Sequence, residues 1–146
     1  MRRDLKNNIA TVLLKEPVDA VHTTVASSIL DTAGFEGIEI DAIIGALTGV
    51  DASNHVTPVL QESATIVGTD FSPVATGSMI GAFSKVDSTA KDSVIQRVGY
   101  IGTKRYVRVN FVYVGTGITA GVIGCVGVLG LPEASPATAP AAVSAT

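Results

Sequence analysis

The side chains of this sequence best equipped for chemistry are four cations and two tyrosines gathered between positions 97 and 108: Arg97, Tyr100, Lys104, Arg105, Tyr106 and Arg108. Arginine forks onto carboxylates through two parallel hydrogen bonds, and tyrosine supplies rigid contact area, so this set is suited to docking against acidic groups of a partner. The plainer alternative is a group of surface cations around a turn. Basic strands with aromatics also serve as stacking platforms for single-stranded nucleic acid. Here the formal net charge is −3, aromatics make up 5% and tryptophan is absent, so no direct nucleic-acid partner is expected.

The other reactive residues form no catalytic set. His22 and His55 are the only histidines and Cys125 the only cysteine. A zinc site needs more His, Cys or carboxylate ligands at suitable spacing, so no metal is expected. Cys125 sits among valines and glycines and reads as a buried, inert thiol. Asp31, Glu36, Glu39 and Asp41 cluster locally. Acid–base catalysis would require a cleft and a shifted pKa, and a solvated strand face or an intersubunit salt bridge accounts for them better. The stretch from Gly115 to Gly121 (GTGITAG) lacks the Gly-Lys-[Ser/Thr] ending of a phosphate loop and reads as a hairpin turn. Neither a nucleophile elbow nor a zinc-protease helix motif occurs. No catalytic, cofactor-binding or metal-ligating residue is expected, and the chain is read as not an enzyme.

The elements that must position the basic cluster belong to the block from Val94 to Gly130. Its last part, Val109 to Leu131, carries no charge, which raises the question of a membrane-spanning helix. Gly115 and Gly117 interrupt that run, and the residues before it alternate. Arg105, Val107, Val109, Phe111 and Tyr113 fall on one side, and Tyr106, Arg108, Asn110 and Val112 on the other. Period-two alternation in β-formers marks a strand. The block therefore reads as three strands joined by two glycine turns, with no membrane partner. Its third strand has apolar or small residues on both faces: Ile123, Cys125 and Leu129 on one, Val122, Val126 and Val128 on the other. Such a strand is covered on both sides, the second side by the arm, the tail or a neighbouring subunit.

Further strands follow from the same pattern. Ile38, Ile40, Ala42 and Ile44 share a face opposite Glu39 and Asp41. Val18–Leu30, Val56–Ser63 and Ser78–Ser84 are also predicted as strands, with Phe71 and Val74 packing inward between the last two. Turn chemistry separates short strands at spacings near ten residues, the pattern of an all-β sandwich. The predicted fold is a jelly-roll-like β-sandwich over residues 18–131. An extended arm (1–17) precedes it and a flexible Pro/Ala/Ser/Thr-rich tail (132–146) follows. Arg2, Arg3 and Lys6 on the arm lie against an acidic neighbour or in solvent. The apolar run Ala10–Leu14 is too short for the core of a secretory signal. At 146 residues one domain is expected. With 47% hydrophobic and 16% charged residues, little charge is available to solvate a large surface, and a homo-oligomer (dimer or trimer) is expected.

The segment Gln96–Arg108 (QRVGYIGTKRYVR) resembles a recurring stretch in small virion proteins of tailed bacteriophages. Leu60-Gln61-Glu62-Ser63, followed by Phe71 and Val74, and the opening Asp4-Leu5-Lys6-Asn7-Asn8-Ile9 resemble the same proteins. The likeness spans most of residues 4–131 and excludes the tail. It implies a cement or decoration protein on the outer capsid surface of the virion. Such a protein bridges subunits of the major capsid protein and stabilises the shell against internal pressure. Two alternatives stay open: a head–tail or tail component, and a ligand-binding β-sandwich module.

Overall fold

A computed structural model of the chain describes residues 4–19, 23–134 and 136–144. Arg2, Arg3 and His22 lie outside the described residues. Among the described residues the regular structure is strand, apart from two single turns of 3-10 helix. The strands are β1 (Ile9–Asp19), β2 (Val25–Ala26), β3 (Leu30–Asp31), β4 (Phe35–Ile44), β5 (His55–Ser63), β6 (Ser72–Pro73), β7 (Met79–Ile80), β8 (Val94–Tyr100), β9 (Tyr106–Val114) and β10 (Val122–Pro132). They form two antiparallel sheets, one ordered β1-β10-β4-β8-β7, the other β2-β9-β5-β6, with β3 also on β9. The protein is an all-β sandwich.

Alternation in the sequence becomes the two faces of each sheet. In β4, Ile40, Ala42 and Ile44 are buried while Glu39 and Asp41 point outward. In β9, Val107, Val109 and Phe111 are buried and face the core across from Ile123, Cys125 and Leu129 of β10. Each fully buried aliphatic or aromatic side chain of this kind stabilises the fold by about 1.5–3 kcal/mol. Gly127 of β10 must be small: a Cβ there would stand 2.9 Å from Leu30 Cδ2 of the opposite sheet. Phe71 and Val74 are buried as expected.

The strands expected over Val18–Leu30 and Ser78–Ser84 shrink to the end of β1, β2, the start of β3, and β7, and four larger expectations differ from the structure. Residues 9–17 are not an arm outside the sandwich. Ala10, Val12 and Leu14 alternate into the core, and the segment pairs with β10 from Ile9↔Gly130 onward, so it is an edge strand. The tail is extended but not loose. Glu133 N–H donates to Gly34 O (2.9 Å), Ala137 N–H to Asn7 O (2.9 Å), and Val143 forms a two-way bridge with Ile29. It runs along the side of the sandwich where β1 and β3 end their sheets, and Pro136 and Pro140, lacking N–H groups, keep its bonding intermittent.

Third, the Val94–Gly130 block is not a three-strand unit with hairpins. β8 and β10 flank β4 in one sheet and β9 lies in the other, so both glycine-bearing loops cross between layers. In the second loop Gly115 adopts φ 77°, and Asn54 Oδ1 accepts the Gly117 N–H at 2.7 Å. Fourth, within the chain the outer face of β10 is covered only in part. Ile123, Cys125 and Leu129 are fully buried, whereas Val126 and Val128 on the other face are half-buried and Val122 is exposed. The irregular stretch of β1 at Lys15–Pro17 covers this face at Gly124, where an added Cβ would stand 3.4 Å from Lys15 O.

The uncharged stretch that posed the membrane question forms the end of β9, the crossing loop and β10. Among the described residues no helix is long and apolar enough to cross a membrane.

Candidate functional site

The six residues singled out from sequence occupy three separate environments. Tyr100 is in the core, 2% exposed, on the inner face of β8. Its hydroxyl lies 2.5 Å from Glu62 Oε2 of β5 and accepts the Lys104 N–H at 2.9 Å. The bond ties one sheet to the other. Burial first, and then the Glu62 hydrogen bond, push the Tyr100 phenol well above the ordinary tyrosine range. Gly102 is required beside it, because a Cβ there would fall 2.5 Å from the Tyr100 ring. Lys104 is exposed in the β8–β9 crossing.

Arg105, Tyr106 and Arg108 gather on the β3–β9–β5 side of the second sheet. Arg105 forks onto Asp31, with Nε to Oδ1 at 2.8 Å and Nη2 to Oδ2 at 2.7 Å, and its guanidinium stands 5.1 Å from the Tyr106 ring centre. The Arg105 hydrogen bonds hold the Asp31 carboxyl below the usual carboxylate range. Arg108 Nε donates to Gln61 Oε1 (2.9 Å) and Nη2 to Gly68 O (3.1 Å), with its guanidinium 4.2 Å above the Phe71 ring centre. Both arginines are engaged within the chain. Each staples β9 to a neighbouring segment, which leaves little of either cation unclaimed.

Arg97 stands apart, on the outer face of the β1-β10-β4-β8-β7 sheet. It donates to both oxygens of Glu39, from Nη2 at 2.6 and 2.7 Å and from Nε at 3.0 Å. Asp41 Oδ1 lies 3.8 Å from Arg97 Nε and is buried without a hydrogen-bond partner. Burial first, then the Glu39 charge, raise the Asp41 carboxyl above its ordinary value. Asp31 thus pairs with Arg105 and Glu39 with Arg97, on different sheets.

Around this ion cluster the outer face is apolar. Leu13 (54% exposed), Ile43 (37%), Ile80 (64%) and Ile95 (60%) project from β1, β4, β7 and β8. At one end Gly37, Gly99 and Gly130 floor a trough of ≈ 650 Å³ walled by Ile9, Ile80 and Ile101. The outward residues of β5 and β9 on the opposite layer are mostly polar by contrast: Thr57, Gln61, Arg108 and Asn110 among them. Exposed apolar side chains thus flank the Arg97–Glu39–Asp41 cluster on this sheet face. Sequence reasoning credited this face with Val122, Val126 and Val128 of β10 and with Glu39, Asp41 and Arg97, and missed its isoleucines on β7 and β8. The missed signal is parity: Ile95, Arg97, Gly99 and Ile101 share one face of β8, and Tyr100 belongs to the other.

Cys125 is fully buried against the core, and burial pushes its thiol up to about 12. Among the described residues no group of three or more His, Cys, Asp and Glu side chains stands close enough to hold a metal ion. No protein-family model matches the chain, and no curated protein matches its sequence.

Proposed function

We propose that this chain is a jelly-roll-like virion structural protein, a cement or decoration component that binds the outer capsid surface and bridges subunits of the major capsid protein. The observation that carries the reading is the two-faced sandwich: one sheet has a polar outer surface, the other an apolar one that a freely soluble monomer would not leave uncovered. Such a chain is built to be a part of an assembly.

The jelly-roll reading is supported by the strand order. With β2 and β3 taken as one strand and β7 as an addition at the edge, the layers are β1-β10-β4-β8 and β2/β3-β9-β5-β6. Successive long strands then alternate between layers and return beside earlier ones, as in two interleaved Greek keys. Assignment to a virion rests on the resemblance of Gln96–Arg108 and Leu60–Ser63 to small phage virion proteins. Mechanically, many copies each making modest contacts give a shell high avidity without any catalytic step.

The test is cosedimentation of the purified chain with empty shells of the major capsid protein from the same phage. Saturable binding at a fixed copy number, with a rise in the temperature at which shells disassemble, is expected. Absence of shell binding across salt and pH would overturn the proposal.

A further inference from the structure

We infer that the apolar face of the β1-β10-β4-β8-β7 sheet is closed by the same face of a second copy, as a two-fold dimer with the axis lying across the strands near Ile40. The inference rests on the reading of the chain as an assembly component and names the occupant of its uncovered face.

The first argument is self-complementarity. A two-fold interface must fit its own image. An axis across the strands turns each strand end for end and keeps the lateral order, so β4 faces the partner's β4 and β8 the partner's β8. On β4, Ile43 then lies over the partner's Gly37 and Asp41 over the partner's Glu39. The register pairs Ile43 with Ile95, Asp41 with Arg97 and Glu39 with Gly99 between β4 and β8. Hence Arg97 lies over the partner's Gly99, beside the partner's Glu39. On β10, Val126 meets the partner's Val128. Two of the bulkiest outward side chains therefore face glycines, and the glycine trough receives the isoleucine from the other end of the same face.

The second argument is charge. Each copy's arginine already holds its own Glu39 at 2.6 Å, so covering the face strands no lone cation. In the dimer the two arginines come within reach of both Glu39 carboxylates. Asp41, which faces the partner's Glu39, adds a second carboxylate per copy, so the two arginines are shared among four carboxylates.

The third argument is size. The four long strands of this face, β1, β10, β4 and β8, run from 7 to 11 residues. At about 3.3 Å per residue and about 4.8 Å between strands, four of them project roughly 600 Å². Side-chain relief adds to that projection, bringing it close to the ~800 Å² per partner of a standard stable interface. Edge-to-edge pairing through β1 is disfavoured instead, because β1 carries register shifts after Leu13 and Lys15 and a proline at position 17.

The experiment is sedimentation velocity on the full chain without shells, with shell cosedimentation run in parallel. The expected species has twice the 14.9 kDa chain mass. Ile43→Glu is expected to weaken the dimer by about thirtyfold or more, and Thr57→Glu on the opposite layer to leave it unchanged, both with wild-type circular dichroism. A monomer at all concentrations overturns the dimer. So does a dimer that ignores Ile43→Glu. If the monomeric chain still binds shells and Ile43→Glu abolishes that binding, the shell covers this face; the dimer fails and the cement reading survives. A dimer that shows the expected variant pattern but never binds shells keeps this inference and removes the virion reading.

Discussion

Tyr100→Phe is expected to weaken folding and leave association untouched. The substitution removes one oxygen from a buried side chain and keeps the ring. Lost with it are the 2.5 Å contact to Glu62 Oε2 and the 2.9 Å bond from the Lys104 N–H. A hydrogen bond to a charged group contributes about 1.5–3 kcal/mol. The Lys104 amide, on an exposed loop, recovers most of its bond from water, so the total is about 2–3 kcal/mol. For a chain of this length that corresponds to roughly 5–10 °C in Tm. Urea unfolding followed by circular dichroism measures it, with wild type and variant at matched concentration because association stabilises the folded state. Tyr106→Phe is the control: Tyr106 lies on the outer side of β9, and its hydroxyl removal is expected to change stability by less than about 0.5 kcal/mol. A Tyr100→Phe variant as stable as wild type that has lost partner binding would refute the reasoning and return Tyr100 to a docking role.

Two further outcomes are expected. Cys125, its thiol pushed up to about 12 by burial, is protonated at any working pH and is expected to react with a disulfide reagent only as fast as the chain opens; prompt labelling of folded protein would contradict the core packing. Deleting the residues after Pro132 removes both Ile29–Val143 bonds, the Ala137–Asn7 bond and the Glu133–Gly34 bond, and is expected to cost about 1–3 kcal/mol and speed proteolysis between β1 and β4. A truncated chain of unchanged stability would show that the tail contributes nothing to the sandwich.

Faces were more legible in the sequence than partners. Period two in Ile38–Ile44 and in Tyr106–Tyr113 marks which side chains go inward, because pleating is a local property of the backbone. It says nothing about which strand lies alongside. Gly115 and Gly117 signal that the chain turns, yet the same turn chemistry serves a hairpin and a crossing between layers, and here it serves the crossing. Residues 9–14 alternate as clearly as β4 does, but charges at positions 2, 3, 4 and 6 and Pro17 frame them like an arm. The basic cluster read as one surface because its members are neighbours in sequence. Parity separates Arg97 from Tyr100, and Asp31 and Gln61, both distant in sequence, claim Arg105 and Arg108. Those pairings depend on tertiary structure and leave no local trace.

The neighbour of β1 is β10, and the neighbour of β10 on its other side is β4. While the polypeptide is being made, the strand that belongs between β1 and β4 does not yet exist. The middle of that sheet can be filled only after synthesis has passed Pro132. Pairing between such distant segments is slow, and until it occurs the isoleucine-rich β4 and β8 have an open flank that invites misassociation. The two-layer body is thus completed only once β10 has been made. The apolar face is continuous across β1, β10 and β4 only once β10 is in place, so the order of synthesis itself delays association until the chain can fold.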